Sequence, residues 1–179
     1  MTAIKIFFSF AILLFLPSDS FSQTNLETGS AAPDFTLQDA LGNEYTLSDY
    51  FSESPVVIYF YPQAGTSGCT KQACNIRDDW SKFEENNIIV FGISTDTKEE
   101  IEKFVNDYSL NFPLLSDADK QVSEAYGVLQ QNGRDKKVTF IIDLEGKVNE
   151  IIDVTDIDSH SEYVFDAALK LIPINNNTN

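Results

Sequence analysis

The chain has 179 residues, 42% of them hydrophobic, a formal net charge of −16, one histidine and two cysteines. That length holds one ordinary domain, with a core large enough to fold without a disulfide staple or a structural metal. The charge excludes a nucleic-acid phosphate binder, because no basic stretch exists to neutralise phosphates, and it disfavours anionic membranes.

At the N-terminus Lys5 precedes an apolar run from Ile6 to Leu16, followed by Pro17 and the small or polar residues Ser18 to Gln23. A short basic region, an apolar stretch too short to span a bilayer and small residues before a cut site describe a secretory signal peptide. Residues 1–22 are therefore read as that signal, cleaved between Ser22 and Gln23. The mature chain is expected to be periplasmic, with no stable membrane association. Removing the signal takes away Lys5 and Asp19, so the mature charge is unchanged at −16. In an oxidising compartment two cysteines would by default form one structural disulfide.

Residues 23–32 are small and polar and read as a flexible lead-in to a domain over 33–173. Asp34–Leu37 and Glu44–Leu47 alternate with period two around Gly42-Asn43, a β-hairpin pattern. Pro55–Tyr61 is a continuous β-branched and aromatic run, a strand buried on both faces. Residues 69–86 carry Ala73, Ile76, Trp80 and Phe83 at helical spacing. Ile88–Ile93 is a second buried strand, and Thr97 caps a helix with the stripe Ile101, Phe104, Val105 and Tyr108. A short extended piece (112–115), a short helix (118–126) and two strands (138–142 and 147–152) joined by a turn follow. A last helix spans about Ser159 to Leu171, and residues 174–179 form a polar tail expected to be disordered. Strands alternating with helices, closed by an antiparallel hairpin, give an α/β fold with a mixed central sheet.

The chemistry concentrates at residues 59–80. A buried strand ends at Tyr61-Pro62, a glycine-containing loop follows, and Cys69 falls where a helix begins. Free backbone N–H groups and the positive end of the helix dipole favour thiolate, the nucleophilic form. Thr66, three residues earlier, could donate its hydroxyl to the sulfur or to an oxygen of a bound substrate, and Pro62 would shield the sulfur from water. Cys74 lies five residues on, in the same predicted helix. Ideal helix geometry puts the two Cα atoms roughly 8–9 Å apart and turned about 140° from each other. A disulfide needs Cα atoms within about 7 Å. The pair can therefore bond only when the helix unwinds, which is the behaviour of a catalytic disulfide. His160 is read as a surface residue without a role, and two cysteines with one distant histidine do not make a zinc site. Arg77 is read as a surface or inter-helix ion-pair residue.

These residues resemble the peroxiredoxins, specifically the bacterioferritin comigratory protein or peroxiredoxin Q group of the AhpC/TSA superfamily. The motif Pro-x-x-x-Thr-x-x-Cys is matched by Pro62, Thr66 and Cys69, and the group's second cysteine by Cys74. Further matches run through 91–96, 112–117, 125–128 and 139–143. The resemblance implies a thioredoxin-like fold and reduction of hydrogen peroxide or organic hydroperoxides without a cofactor. Cys69 would be the peroxidatic residue, oxidised to a sulfenic acid, and Cys74 the resolving one. A thioredoxin-like dithiol would reduce the disulfide. The chain is expected to act as a monomer. The family arginine that precedes the Thr-Phe-Ile-Ile strand is replaced here by Lys137, with Arg134 three residues upstream as the alternative cation.

Two other readings compete. One is a periplasmic thiol–disulfide oxidoreductase of the same fold, opposed by the four residues between the cysteines and by Lys137, not proline, before Val138. The other is a non-catalytic secreted domain with a structural Cys69–Cys74 bond.

Overall fold

Five consecutive β-branched and aromatic residues, Val56–Phe60, form the central strand, and all five are buried. The structure, a computed structural model, describes residues 26–173. In chain order it contains β1 (Thr36–Asp39), β2 (Glu44–Thr46), β3 (Val56–Phe60), α1 (Ser67–Asp78), α2 (Trp80–Glu85), β4 (Ile89–Ser94), α3 (Lys98–Tyr108), β5 (Leu114–Ser116), α4 (Gln121–Ala125), β6 (Val138–Ile142), β7 (Val148–Asp153) and α5 (His160–Leu169). The strands form one sheet in the order β2-β1-β5-β4-β3-β6-β7. β3, β4 and β5 run parallel, while β6 pairs antiparallel with β3 and the N-terminal hairpin adds β1 antiparallel to β5. This is the mixed central sheet flanked by helices that the sequence pattern predicts.

Side chains alternate across β3 and fill two cores. Val57 and Tyr59, with Tyr61 just beyond the strand, pack with Ala73 and Ile76 of α1, Phe83 of α2, Phe104 of α3 and Val164 of α5. Val56, Ile58 and Phe60 face the other way, toward Phe35, Tyr126 and Phe140. Each fully buried side chain of this size contributes roughly 1.5–3 kcal/mol of transfer free energy. A strand covered on both faces is thereby held rigidly, and its C-terminal end is where α1 departs.

Three expectations are corrected. The single helix over 69–86 begins earlier, at Ser67, and is broken at Asp79, whose ψ of 2° leaves the helical range. The break turns Trp80 onto Phe112, with stacked rings 5.7 Å apart, and Phe83 onto Phe165 of α5. The lead-in is not flexible from Gly29 onward: Gly29 N–H donates to Val148 O, Val148 N–H to Ser30 O and Ala32 N–H to Gly146 O. β7 is an edge strand with backbone groups to satisfy, and this segment satisfies those at its start. Finally, His160 is buried rather than on the surface. The signal peptide over 1–22 and the tail over 174–179 lie outside the described residues.

Candidate active site

Cys69 is the third residue of α1, and its side chain is buried, 3% exposed. The first amides of a helix have no intrahelical acceptor, so its opening turn presents N–H groups and a positive dipole end. Thr66 is the N-cap residue but its side chain makes no capping bond, and no acidic residue occupies the first turn. No carboxylate there offsets the positive helix end beside the sulfur.

Lys137 immediately precedes β6, the antiparallel neighbour of β3, and this pairing carries it across to α1. Its Nζ lies 3.6 Å from Cys69 Sγ and donates to Gln72 Oε1 at 3.2 Å. Of the two candidate cations, Lys137 is the one brought to the sulfur. Arg134 instead pairs with Asp96. The Asp96 carboxylate is itself buried and also accepts from Ala64 N–H at 2.7 Å and Ser94 Oγ at 3.0 Å. Three partners make it a satisfied buried charge. Its contact with Ala64 ties the loop between Pro62 and Thr66 to the segment that follows β4.

Pro62 is half-buried at the end of β3, and Thr66 is exposed. The Thr66 hydroxyl donates to Gln63 O at 3.0 Å, not to the sulfur. Of the two expected acceptors, the sulfur does not receive this proton. A hydroxyl oxygen whose proton is so engaged still has lone pairs with which to accept.

Cys74 is half-buried in the same unbroken helix, and both thiols are free. Several contacts hold α1 against its neighbours. Asn75 Nδ2 donates to Ile157 O at 3.0 Å, Lys71 pairs with Asp158, and the Arg77 guanidinium donates to Tyr108 O at 2.6 Å while pairing with Asp78. Arg77 is thus an inter-element tie, within the role expected of it.

Behind α1 lies a buried polar layer that the sequence did not reveal. His160 Nε2 is 2.8 Å from Thr139 Oγ1, and both ring nitrogens are 3.4 Å from Gln72 Nε2. Burial, and then the Lys137 charge, push the His160 pKa down to about 4, so the ring is neutral at neutral pH. Burial also raises the Tyr59 phenol well above its ordinary range, with Tyr61, Cys69 and Cys74 adding to the effect. Gln72 gave no signal because a glutamine within an amphipathic helix normally reads as a solvated position. Asp96 had one weak signal, its place at the end of a buried strand.

Comparison with known proteins places this geometry. The pattern of the AhpC/TSA family matches residues 28–151. Peroxiredoxin Bcp of Escherichia coli (strain K12) is 38% identical over 146 residues, covering 78% of this chain and 93% of that protein. A putative peroxiredoxin of Mycobacterium tuberculosis (strain CDC 1551 / Oshkosh), MT2597, is 44% identical over 132 residues, covering 70% and 83%. Among solved structures, the peroxidoxin BcpB of Mycobacterium tuberculosis superposes with a TM-score of 0.75 at 37% identity, covering 83% of this chain and 99% of that one. The peroxiredoxin Q of Xanthomonas campestris superposes with a TM-score of 0.71 at 28% identity, covering 81% and 95%.

Proposed function

The chain belongs to the AhpC/TSA family of peroxiredoxins and is a peroxidase, and from that premise we propose that Cys69 is the residue oxidised by peroxide and Cys74 the one that resolves it. The observation that carries the assignment is the Lys137 ammonium 3.6 Å from a sulfur seated in the first turn of α1.

The Cys69 thiolate attacks the distal oxygen of a hydroperoxide, the O–O bond breaks, and the leaving alkoxide or hydroxide takes up a proton. The sulfur becomes a sulfenic acid. Lys137 and the helix amides offset the charge that builds on the leaving oxygen. Thr66 Oγ accepts the peroxide O–H, consistent with its own proton lying on Gln63 O. Pro62 keeps water from the sulfur. Cys74 then displaces water from the sulfenic acid, forming the disulfide, which requires α1 to unwind. A thioredoxin-like dithiol reduces that disulfide by exchange.

Both cysteines of the cycle lie in one helix, so the cycle needs no second copy, which supports action as a monomer. The apolar run and small residues of 1–22 support export, and so a reductant outside the cytosol. N-terminal sequencing of the mature protein checks the cut after Ser22. A thiol–disulfide oxidoreductase is not favoured, because the matched relatives are named peroxiredoxins and four residues separate the cysteines.

The direct test is mass spectrometry after one equivalent of hydrogen peroxide. Cys74→Ser should trap a sulfenic acid on Cys69, while Cys69→Ser should leave Cys74 reduced. Equal, slow oxidation of the two cysteines would falsify the assignment.

A further inference from the structure

A lysine is a point charge on a flexible four-carbon stem and does not aim itself as a planar guanidinium does. In this chain, the second contact of Lys137 supplies the aim. Its Nζ donates to Gln72 Oε1 at 3.2 Å as well as facing Cys69 Sγ. Gln72 is fully buried, and so is its other neighbour, His160.

The donor and acceptor inventory fixes the polarity of this chain of groups. An ammonium has only protons to offer, so the Gln72 amide must turn its oxygen to Lys137 and its NH2 away. The NH2 then meets the His160 ring at 3.4 Å. A neutral imidazole has one acceptor nitrogen and one N–H. With the proton on Nε2, Nδ1 accepts from Gln72 and Nε2 donates to Thr139 Oγ1 at 2.8 Å. Lys137, Gln72, His160 and Thr139 are then linked donor to acceptor in one direction, from Lys137 to β6. A flipped amide would set NH2 against the ammonium and carbonyl against the ring, losing the Lys137 contact. The depressed His160 pKa agrees with a ring that stays neutral and keeps its acceptor.

We propose that Gln72 and His160 are positioning residues, which hold the Lys137 ammonium on the Cys69 sulfur by fixing the orientation of the Gln72 amide. The inference rests on the reading of Lys137 as the cation that supports Cys69. Neither residue touches substrate. Both act through Lys137, and because Gln72 lies between the two cysteines, the hold is released when α1 unwinds.

The test is a double-mutant cycle on the full chain, read by the rate of Cys69 oxidation by hydrogen peroxide and by ultraviolet thiolate absorbance at neutral pH. His160→Leu should slow oxidation about tenfold, the scale of one charge-assisted hydrogen bond, and lower the thiolate signal. His160→Asn, which keeps an acceptor for the amide, should restore most of both. In a Lys137→Ala background, His160→Leu should cause no further loss. Gln72→Met, which cuts the same link on the α1 side, should show the same non-additivity and carries the test if His160→Leu fails to fold. Equal factors in both backgrounds would mean a merely structural role and overturn the proposal, as would unchanged rate and absorbance in His160→Leu. If Lys137→Ala alone oxidises as fast as the parent, the reading of Lys137 fails and the positioning proposal falls with it; if Lys137→Ala is slow and His160→Leu is not, only the positioning proposal falls.

Discussion

The Arg134 guanidinium is paired with the buried Asp96 carboxylate, and Lys137, three residues further on, is the cation that reaches the Cys69 sulfur. Lys137→Ala should therefore lower the rate constant for hydrogen peroxide by about ten- to a hundredfold, the loss of one charged group facing the transition state. Arg134→Ala should act chiefly on stability, because it leaves Asp96 buried without its cation, a change worth about 3–5 kcal/mol at a fully buried pair and less here, where the arginine is one-third exposed. Stopped-flow kinetics beside chemical denaturation separate the two. A rate loss larger in Arg134→Ala than in Lys137→Ala would reverse the assignment.

Asn75 ties the middle of α1 to the loop before α5 through its bond to Ile157 O. Resolution requires α1 to open, so the bond should slow disulfide formation. Asn75→Ala should raise the rate of the second, disulfide-forming phase by about fivefold, the worth of one net hydrogen bond, and leave the first oxidation phase unchanged. Less over-oxidation of Cys69 at high peroxide should accompany it. An unchanged second phase would show that opening of α1 is limited elsewhere.

Asp135 is fully buried, and neither of its carboxyl oxygens has a hydrogen-bonding partner among the described residues. Ser123 Oγ, its neighbour, donates to Asp117 instead. Burial above all, with the Asp117 and Asp96 carboxylates adding, raises its pKa from 3.8 to about 7. The folded state therefore holds a proton that the unfolded chain has released. The stability from this group is full below about pH 4 and is lost as pH rises through about 7. Asp135→Asn should remove that slope and stabilise the protein above neutrality by at least about 1 kcal/mol. Denaturation midpoints of parent and variant across this range check it, and parallel curves would contradict it.

Gly92 sits on β4 under Tyr59. A Cβ there would lie 2.6 Å from the Tyr59 ring and hydroxyl and closer still to the Leu114 side chain. Gly92→Ala should cost about 1–3 kcal/mol, as overpacked cores do. Urea denaturation measures it, and a neutral result would mean that Tyr59 can shift freely.

Much of the fold was legible because hydrophobic period and strand composition carry it. Pro55–Tyr61 and Ile88–Ile93 read as buried strands from their residues alone, and Thr97 announced α3. The break at Asp79 was not legible, because the apolar spacing of Ile76, Trp80 and Phe83 runs through it. The packing of Trp80 on Phe112 and Phe83 on Phe165 depends on residues distant in the chain. Likewise the 29–32 segment looked flexible by composition, yet its order comes from backbone bonds to β7.

The cysteines divide in the same way. The sequence determined that Cys69 stands at the mouth of a helix and that Cys74, five residues on, cannot bond to it while that helix is intact. Both facts are local, set by spacing and helical rise. Which cation serves the sulfur, and what aims it, was decided only by the tertiary structure. The pairing of β6 with β3 brings Lys137 to α1, Asp96 takes Arg134, and the packing of α5 places His160 behind Gln72. Residues separated by 65 and 88 positions meet there, and no local pattern encodes such a contact.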